Sequence, residues 1–151
     1  MSNHMMQRRQ QRGIALLEAM IATVILAIGL LGTIGLQARA YSAMNEASMR
    51  AEATIASEKL FGLMSTDVNN LPAYAMAAGG AASAPMVQWV NEVKGTPSRP
   101  GPIPGAVISV AVAPNSGGTN STAVTVKISW TRKAGGPTNT NTMTSYLSGS
   151  R

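Results

Sequence analysis

The sequence predicts an α+β fold, with one long N-terminal helix lying against a small antiparallel sheet. Three observations carry this expectation. Residues 14–36 are an apolar run holding a single charge, Glu18; residues 37–65 continue at three- and four-residue apolar steps; and the last third alternates β-branched with polar residues. A chain of 151 residues is one domain's worth, and 45% apolar with 12% charged residues is too apolar for a disordered chain. The absence of cysteine excludes disulfides, thiolate metal sites and cysteine nucleophiles.

The first element is basic and then abruptly apolar. Arg8, Arg9 and Arg12 stand in the first thirteen residues with no acid among them, which is half of the net charge of +6. Beyond that point nine Lys+Arg face six Asp+Glu, so the overall basicity is weak evidence for a nucleic-acid partner. From Ile14 to Leu36 the polar side chains are Glu18, Thr23 and Thr33. At about 1.5 Å per residue this run reaches roughly 34 Å as a helix, enough to cross a bilayer. The arginines before it hold the N-terminus on the cytoplasmic side, so the rest of the chain is exported.

A cleaved secretory signal is the simplest competing reading, and Ala38-Arg39-Ala40 would even supply its cleavage site. Its apolar region, however, spans only about 7–15 residues. Glu18 argues against it more strongly, because a charge inside a span costs about 2.5–3.5 kcal/mol even on a lenient scale. A plain anchor or signal would gain by losing that carboxylate, so Glu18 is a candidate functional residue whose partner must be named.

Residues 37–65 read as an amphipathic continuation of the same helix. Tyr41, Met44, Ala47, Ala51, Ile55, Ala56, Leu60, Leu63 and Met64 are expected to form one packing face, with Arg39, Glu46, Arg50, Glu52, Glu58 and Lys59 between them. Glu46 and Arg50 are spaced i, i+4 with the acid first, the favourable order. Asn69-Asn70-Leu71-Pro72 supplies stop and turn chemistry and opens a head at residues 66–151.

Within the head, Tyr74 to Ala84 is Ala/Gly-rich without a period and reads as a flexible surface connection. Pro85 then opens a short helix in which Met86, Trp89, Val90 and Val93 share a face, closed by Gly95. The prolines at 97, 100, 102 and 104 exclude helix or central strand from the next ten residues. Val107–Ala113 is a β-branched run, and Val124, Val126, Ile128 and Trp130 alternate with Thr125, Lys127, Ser129 and Thr131. Residues 114–122 and 132–137 serve as turns, and Asn139–Leu147 adds a more polar edge strand. Three strands are marginal alone, so their apolar face is expected to pack on the amphipathic helix.

The sequence supplies little for catalysis, and the reading is of a non-enzyme with no cofactor and no metal. His4 is the only histidine, and Asp67 and Glu92 are the only acids beyond the long helix. Gly79-Gly80 and Gly117-Gly118 lack the lysine and helix context of a phosphate loop.

At the N-terminus, Arg12-Gly13-Ile14-Ala15-Leu16-Leu17-Glu18 followed by Ala19-Met20-Ile21-Ala22 resembles the class III prepilin signal of type IV pilins and of type II secretion pseudopilins. Ile28-Gly29-Leu30-Leu31-Gly32 and Leu36-Gln37-Ala38-Arg39-Ala40 are most similar to the minor pilin class called PilV, and the Val124–Trp130 strand is loosely so. The resemblance covers about the first forty residues closely. It implies the pilin architecture, with a leader at 1–13, a membrane and assembly helix at 14–36, an amphipathic half at 37–65 and a head at 66–151. It implies that a prepilin peptidase cuts after Gly13 and methylates Ile14, which takes the place of the commoner Phe. The helix proline of many major pilins is absent, and Gly29, Gly32 and Gly35 stand near its place.

The function implied is a minor pilin that serves the initiation, the assembly or the tip of a type IV pilus, with a minor pseudopilin of type II secretion as the alternative. Its partners would be major and minor pilins, the peptidase, membrane lipid and an inner-membrane assembly platform. A DNA-uptake role ranks lower and would rest on Lys127, Arg132, Lys133 and Arg151, with Trp130 and Tyr146 for stacking. The physical account of Glu18 stands apart from the resemblance. A cut after Gly13 creates an ammonium at Ile14, four residues away in the same apolar layer, and two opposite charges desolvated together supply what either lacks alone. In the family the resemblance names, this pairing is thought to run between neighbouring subunits.

Processing gives the first test. Intact-mass measurement of the membrane fraction should find a chain beginning at methylated Ile14, and Gly13→Val should retain the leader; a terminus at Tyr41 would establish the secretory reading instead.

Overall fold

The computed structural model describes residues 3–114, 121–132 and 135–148, with side chains from residue 13 onward. The chain divides into two units, Met1–Asn45 and Glu46–Arg151. Helix α1, Asn3–Thr66, runs without interruption through the first and supplies the opening segment of the second. The expected α+β architecture is observed: a long N-terminal helix with small antiparallel sheets.

In the second unit a 3₁₀ segment follows α1 at Val68–Tyr74, and another at Ala84–Met86 leads into α2, Val87–Lys94. Two short strands, β1 (Gly95–Thr96) and β2 (Arg99–Pro100), form an antiparallel ribbon inside the proline-rich segment. Gly95, at φ +85°, and Gly101 are obligatory there, since a Cβ on Gly101 would lie 2.4 Å from the Gly95 nitrogen. The main sheet has the order β3-β4-β5, with β3 Val107–Pro114, β4 Ser121–Thr131 and β5 Thr138–Ser148, all antiparallel. Of the turn expected at residues 114–122, residues 115–120 lie outside those described, while Pro114, Ser121 and Thr122 belong to the strands; Lys133 and Ala134 of the next turn are likewise outside.

The alternation in β4 does what period two requires: Val124, Val126, Ile128 and Trp130 are buried, while Lys127 and Thr131 are exposed. These side chains join Ala53, Leu60 and Met64 of α1, Trp89 and Val93 of α2, and Ile108 and Val110 of β3 in one core. Polar bonds fix the docking. Trp89 Nε1 donates to the Ala56 carbonyl at 2.8 Å, and Lys59 forms an ion pair with Glu92. The hydrogen bond from Lys59 lowers the Glu92 pKa, against a smaller opposing effect of desolvation. Its contribution to stability is therefore present at neutral pH and fades as the pH falls through the depressed carboxyl pKa. Burial, and then the hydrogen bond its hydroxyl donates to Asp67 Oδ2 at 3.1 Å, raise the pKa of the Tyr74 phenol.

Two expectations need correction. The apolar stripe of α1 is not one packing face: Leu60 and Met64 are buried and Ala56 partly so, but Tyr41, Met44, Ile55 and Leu63 are exposed. At about 100° per residue, Ile55 points away from the face shared by Ala53, Ser57 and Leu60. Ser57 hides in the buried seam because its hydroxyl donates to the Ala53 carbonyl at 2.8 Å, which satisfies it within the helix. The Ala/Gly-rich stretch after Tyr74 is also not a mere surface connection. Met76 is buried and exchanges both backbone hydrogen bonds with Val110, and the Gly79 N–H donates to the Ile108 carbonyl, so this stretch covers the outer edge of β3.

Strand β5 is held differently from the rest. Its inward residues Asn139, Asn141, Met143, Ser145 and Leu147 are only half-buried. Asn141 Nδ2 donates to Thr54 Oγ1 at 3.1 Å, and Arg50, already paired with Glu46, donates to Asn139 Oδ1 at 3.3 Å. Trp130 Nε1 and Asn141 Oδ1, diagonal neighbours on this face, are buried without hydrogen-bond partners.

The corrected helix face makes a contrasting pair of variants. Leu60→Ala removes a fully buried side chain and should lower unfolding stability by about 2–5 kcal/mol. Ile55→Ala, at a position 57% exposed, should cost less than about 1 kcal/mol in the same denaturant titration of the detergent-solubilised chain.

Candidate processing and assembly site

From Ile14 to Leu36, helix α1 is apolar around its whole circumference apart from Glu18. Ile14, Leu16, Leu17, Met20 and Ile21 are each more than half exposed, as are the larger side chains that follow to Leu36. A helix with this character has no inward face of its own and belongs in a membrane or between other helices. Gly13–Thr66 contains a window of mean hydropathy 2.5, long and apolar enough to cross a bilayer.

Within this stretch the hydroxyls are already satisfied. Thr23 Oγ1 donates to the Met20 carbonyl and Thr33 Oγ1 to the Leu30 carbonyl, both at 2.8 Å, so neither demands water. Glu18 is the contrast: it is exposed, and among the described residues it has no ion pair and no side-chain hydrogen bond. It lies one helical turn beyond Ile14, and residues four apart on a helix share a face, with Cβ atoms about 5–6 Å apart.

Gly13 sits inside α1 with open space where a Cβ would project, so nothing among the described residues requires glycine there. Gly29, Gly32 and Gly35 are likewise uncrowded, and the helix passes through them without a break. Arg8, Arg9 and Arg12 precede Gly13 on the same helix, with side chains outside the described part. The structure thus places Gly13, Ile14 and Glu18 within two turns of one helix.

The basic residues of the head do not form a comparable group. Lys127 lies on the exposed face of β4 and Arg132 just beyond its end; Lys133 and Arg151 lie outside the described residues. Tyr146 is exposed, but Trp130 is buried and offers no stacking surface. An open cleft of about 790 Å³ between α2 and the β1-β2 ribbon is lined by Gln88, Asn91, Glu92, Thr96 and Arg99. Its one carboxylate is already engaged by Lys59. No group of three or more His, Cys, Asp or Glu side chains comes together among the described residues. Sequence reasoning missed Ile103, which is fully buried among the prolines; its N–H donates to the Val93 carbonyl.

Residues 8–34 match the model of the prokaryotic N-terminal methylation motif, so the segment just described is a type IV pilin-like prepilin signal. With the apolar helix it supports a membrane-anchored protein of type IV pilin or pseudopilin type, which implies dealings with a prepilin peptidase and with other pilins. No curated protein and no solved structure matches the chain.

Proposed function

We propose that the protein is a minor pilin of the PilV kind, cleaved after Gly13, methylated at Ile14 and assembled through its N-terminal helix at the start or tip of a type IV pilus. The observation that carries this reading is Glu18, the one polar side chain of the span left without a local partner, one turn from the terminus that cleavage would create. Before assembly the chain sits in the inner membrane as a single span. Its leader arginines Arg8, Arg9 and Arg12 are cytoplasmic and its head periplasmic, as positive charge on the retained side requires.

In this reading the Glu18 carboxylate receives the N-terminal ammonium of a neighbouring pilin subunit, and the Ile14 ammonium meets a neighbour's glutamate in turn. Both ions leave water together, and each supplies the hydrogen bonds the other has lost. Such a pair sets axial register more than it adds net stability, because a displaced helix would bury both charges alone. A minor pseudopilin would use the same chemistry, and the two differ in the machinery that extracts them.

Glu18→Gln is the direct test. It removes the charge at nearly constant shape and leaves the Gly13 site intact, so cleavage and insertion should persist. Assembly should fail, since removing one member of a buried pair costs about 3–5 kcal/mol. The expected result is a processed protein in the inner membrane and absent from sheared pili or isolated minor pilin complexes. Incorporation of Glu18→Gln at the unmodified level would refute the pairing.

A further inference from the structure

Among the described residues the outer edge of β5 is unpaired. Its exposed backbone groups can be assigned from hydrogen bonds on the far side of the sheet. The Met76 N–H donates to Val110 O at 2.9 Å and the Val110 N–H to Met76 O at 2.8 Å, so the backbone groups of Val110 point away from β4. Opposed residues in an antiparallel ladder exchange both bonds or neither. Val110 opposes Val126, which must therefore direct its own N–H and C=O to the other side, onto Met143 of β5. Alternation then commits the backbone groups of Asn141, Met143 and Ser145 to β4 and leaves those of Thr140, Thr142, Thr144 and Tyr146 facing outward. Among the described residues no other backbone pairs with this edge.

Edges of this kind are normally blunted by lysine, proline, a bulge or a covering loop. Among the described residues strand β5 has none of these. Thr138–Ser148 contains no charged residue, no proline and no glycine, and its register with β4 is unbroken over all eleven pairs. The opposite edge of the same sheet is covered by the segment around Met76. The second observation is electrostatic. Glu92 is the last acid in the chain, and after it come Lys94, Arg99, Lys127, Arg132, Lys133 and Arg151. Lys127 stands opposite Thr142 and Arg132 precedes the strand, so the charges carried by the strands beside the edge are positive, and Glu46 of α1, whose partner Arg50 reaches Asn139, is held in that ion pair. The β5 strand of a second copy carries no acid, and Arg132 and Lys133 precede it in sequence, so pairing two β5 edges would gain no opposite charge.

We propose that the edge of β5 takes up, by strand addition, an extended carboxylate-bearing segment of a different polypeptide. Backbone bonds to Thr140, Thr142, Thr144 and Tyr146 supply the ladder, and the surrounding cations select acidic flanks on the incoming strand. This stands on the sheet alone and is independent of the role given to Glu18.

The test uses the full-length chain in its own cells, with the photoreactive residue p-benzoylphenylalanine at position 140, exposed beside the edge. Irradiation should link it to a peptide of another polypeptide with Asp or Glu within a few residues of the attachment point, identified by mass spectrometry. Thr142→Pro in the same chain removes an outward N–H and no bond to β4, and should cut the linked product about tenfold at unchanged protein level. Lys127→Glu, on the exposed face and outside the edge ladder, should cut it several-fold even if the proline variant folds poorly. A product linked to a second copy of β5 or to nucleic acid, the absence of any linked product, or a yield unchanged by Lys127→Glu would each overturn the proposal.

Discussion

The apolar surface of residues 14–36, exposed among the described residues, constrains everything else in the molecule. A globular protein folds by hiding such surface against its own elements, and this one hides it only from residue 46 onward. What covers the first stretch must come from outside: lipid, or the same stretch of other subunits. In either medium each backbone N–H and C=O has to be satisfied locally. An unbroken helix does this, as do the hydroxyls of Thr23 and Thr33, which turn back onto their own backbone. Glu18 departs from that economy, so the proposed function attaches to it.

The second unit solves the opposite problem with little material. A three-stranded sheet needs a cover, and α1 provides it along Ala53, Leu60 and Met64, with α2 closing the side through Trp89. The packing is not uniform across the sheet. Strands β3 and β4 give the core their β-branched residues, whereas β5 is held by Asn139 and Asn141 against Arg50 and Thr54. Chain economy thus leaves a polar strand at the margin with one edge open, and the proposed strand addition follows from it.

Much of this was legible in the sequence because the signals were periodic. The apolar run, the alternation from Val124 to Trp130 and the i, i+3, i+4, i+7 pattern ending at Gly95 each specify an element by its own spacing. What was not legible was the pairing of isolated residues. Met76 and Ile103 sit in Ala/Gly- and Pro-rich stretches with no period, and only tertiary contacts bury them. The face of α1 was misjudged for a related reason: Ile55 and Leu63 look like core, while Ser57, which is core, does not. The prepilin signal was readable as an ordered string of residue types, Arg12-Gly13-Ile14 through Glu18, and residues 8–34 match the methylation motif. How Glu18 is partnered has no signature in a single chain.

The central claim is that two buried charges meet, and a distance measures it directly. Solid-state NMR on isolated minor pilin complexes, with ¹³C in the Glu18 carboxylate of this chain and ¹⁵N in the terminal amines of its partner pilins, reports their separation through the dipolar coupling. Pairing predicts strong dephasing between isotopes carried on different chains, corresponding to a nitrogen to carboxylate-oxygen distance within about 4 Å. Absence of coupling in the assembled state, with the amine and carboxylate both charged, would contradict the account.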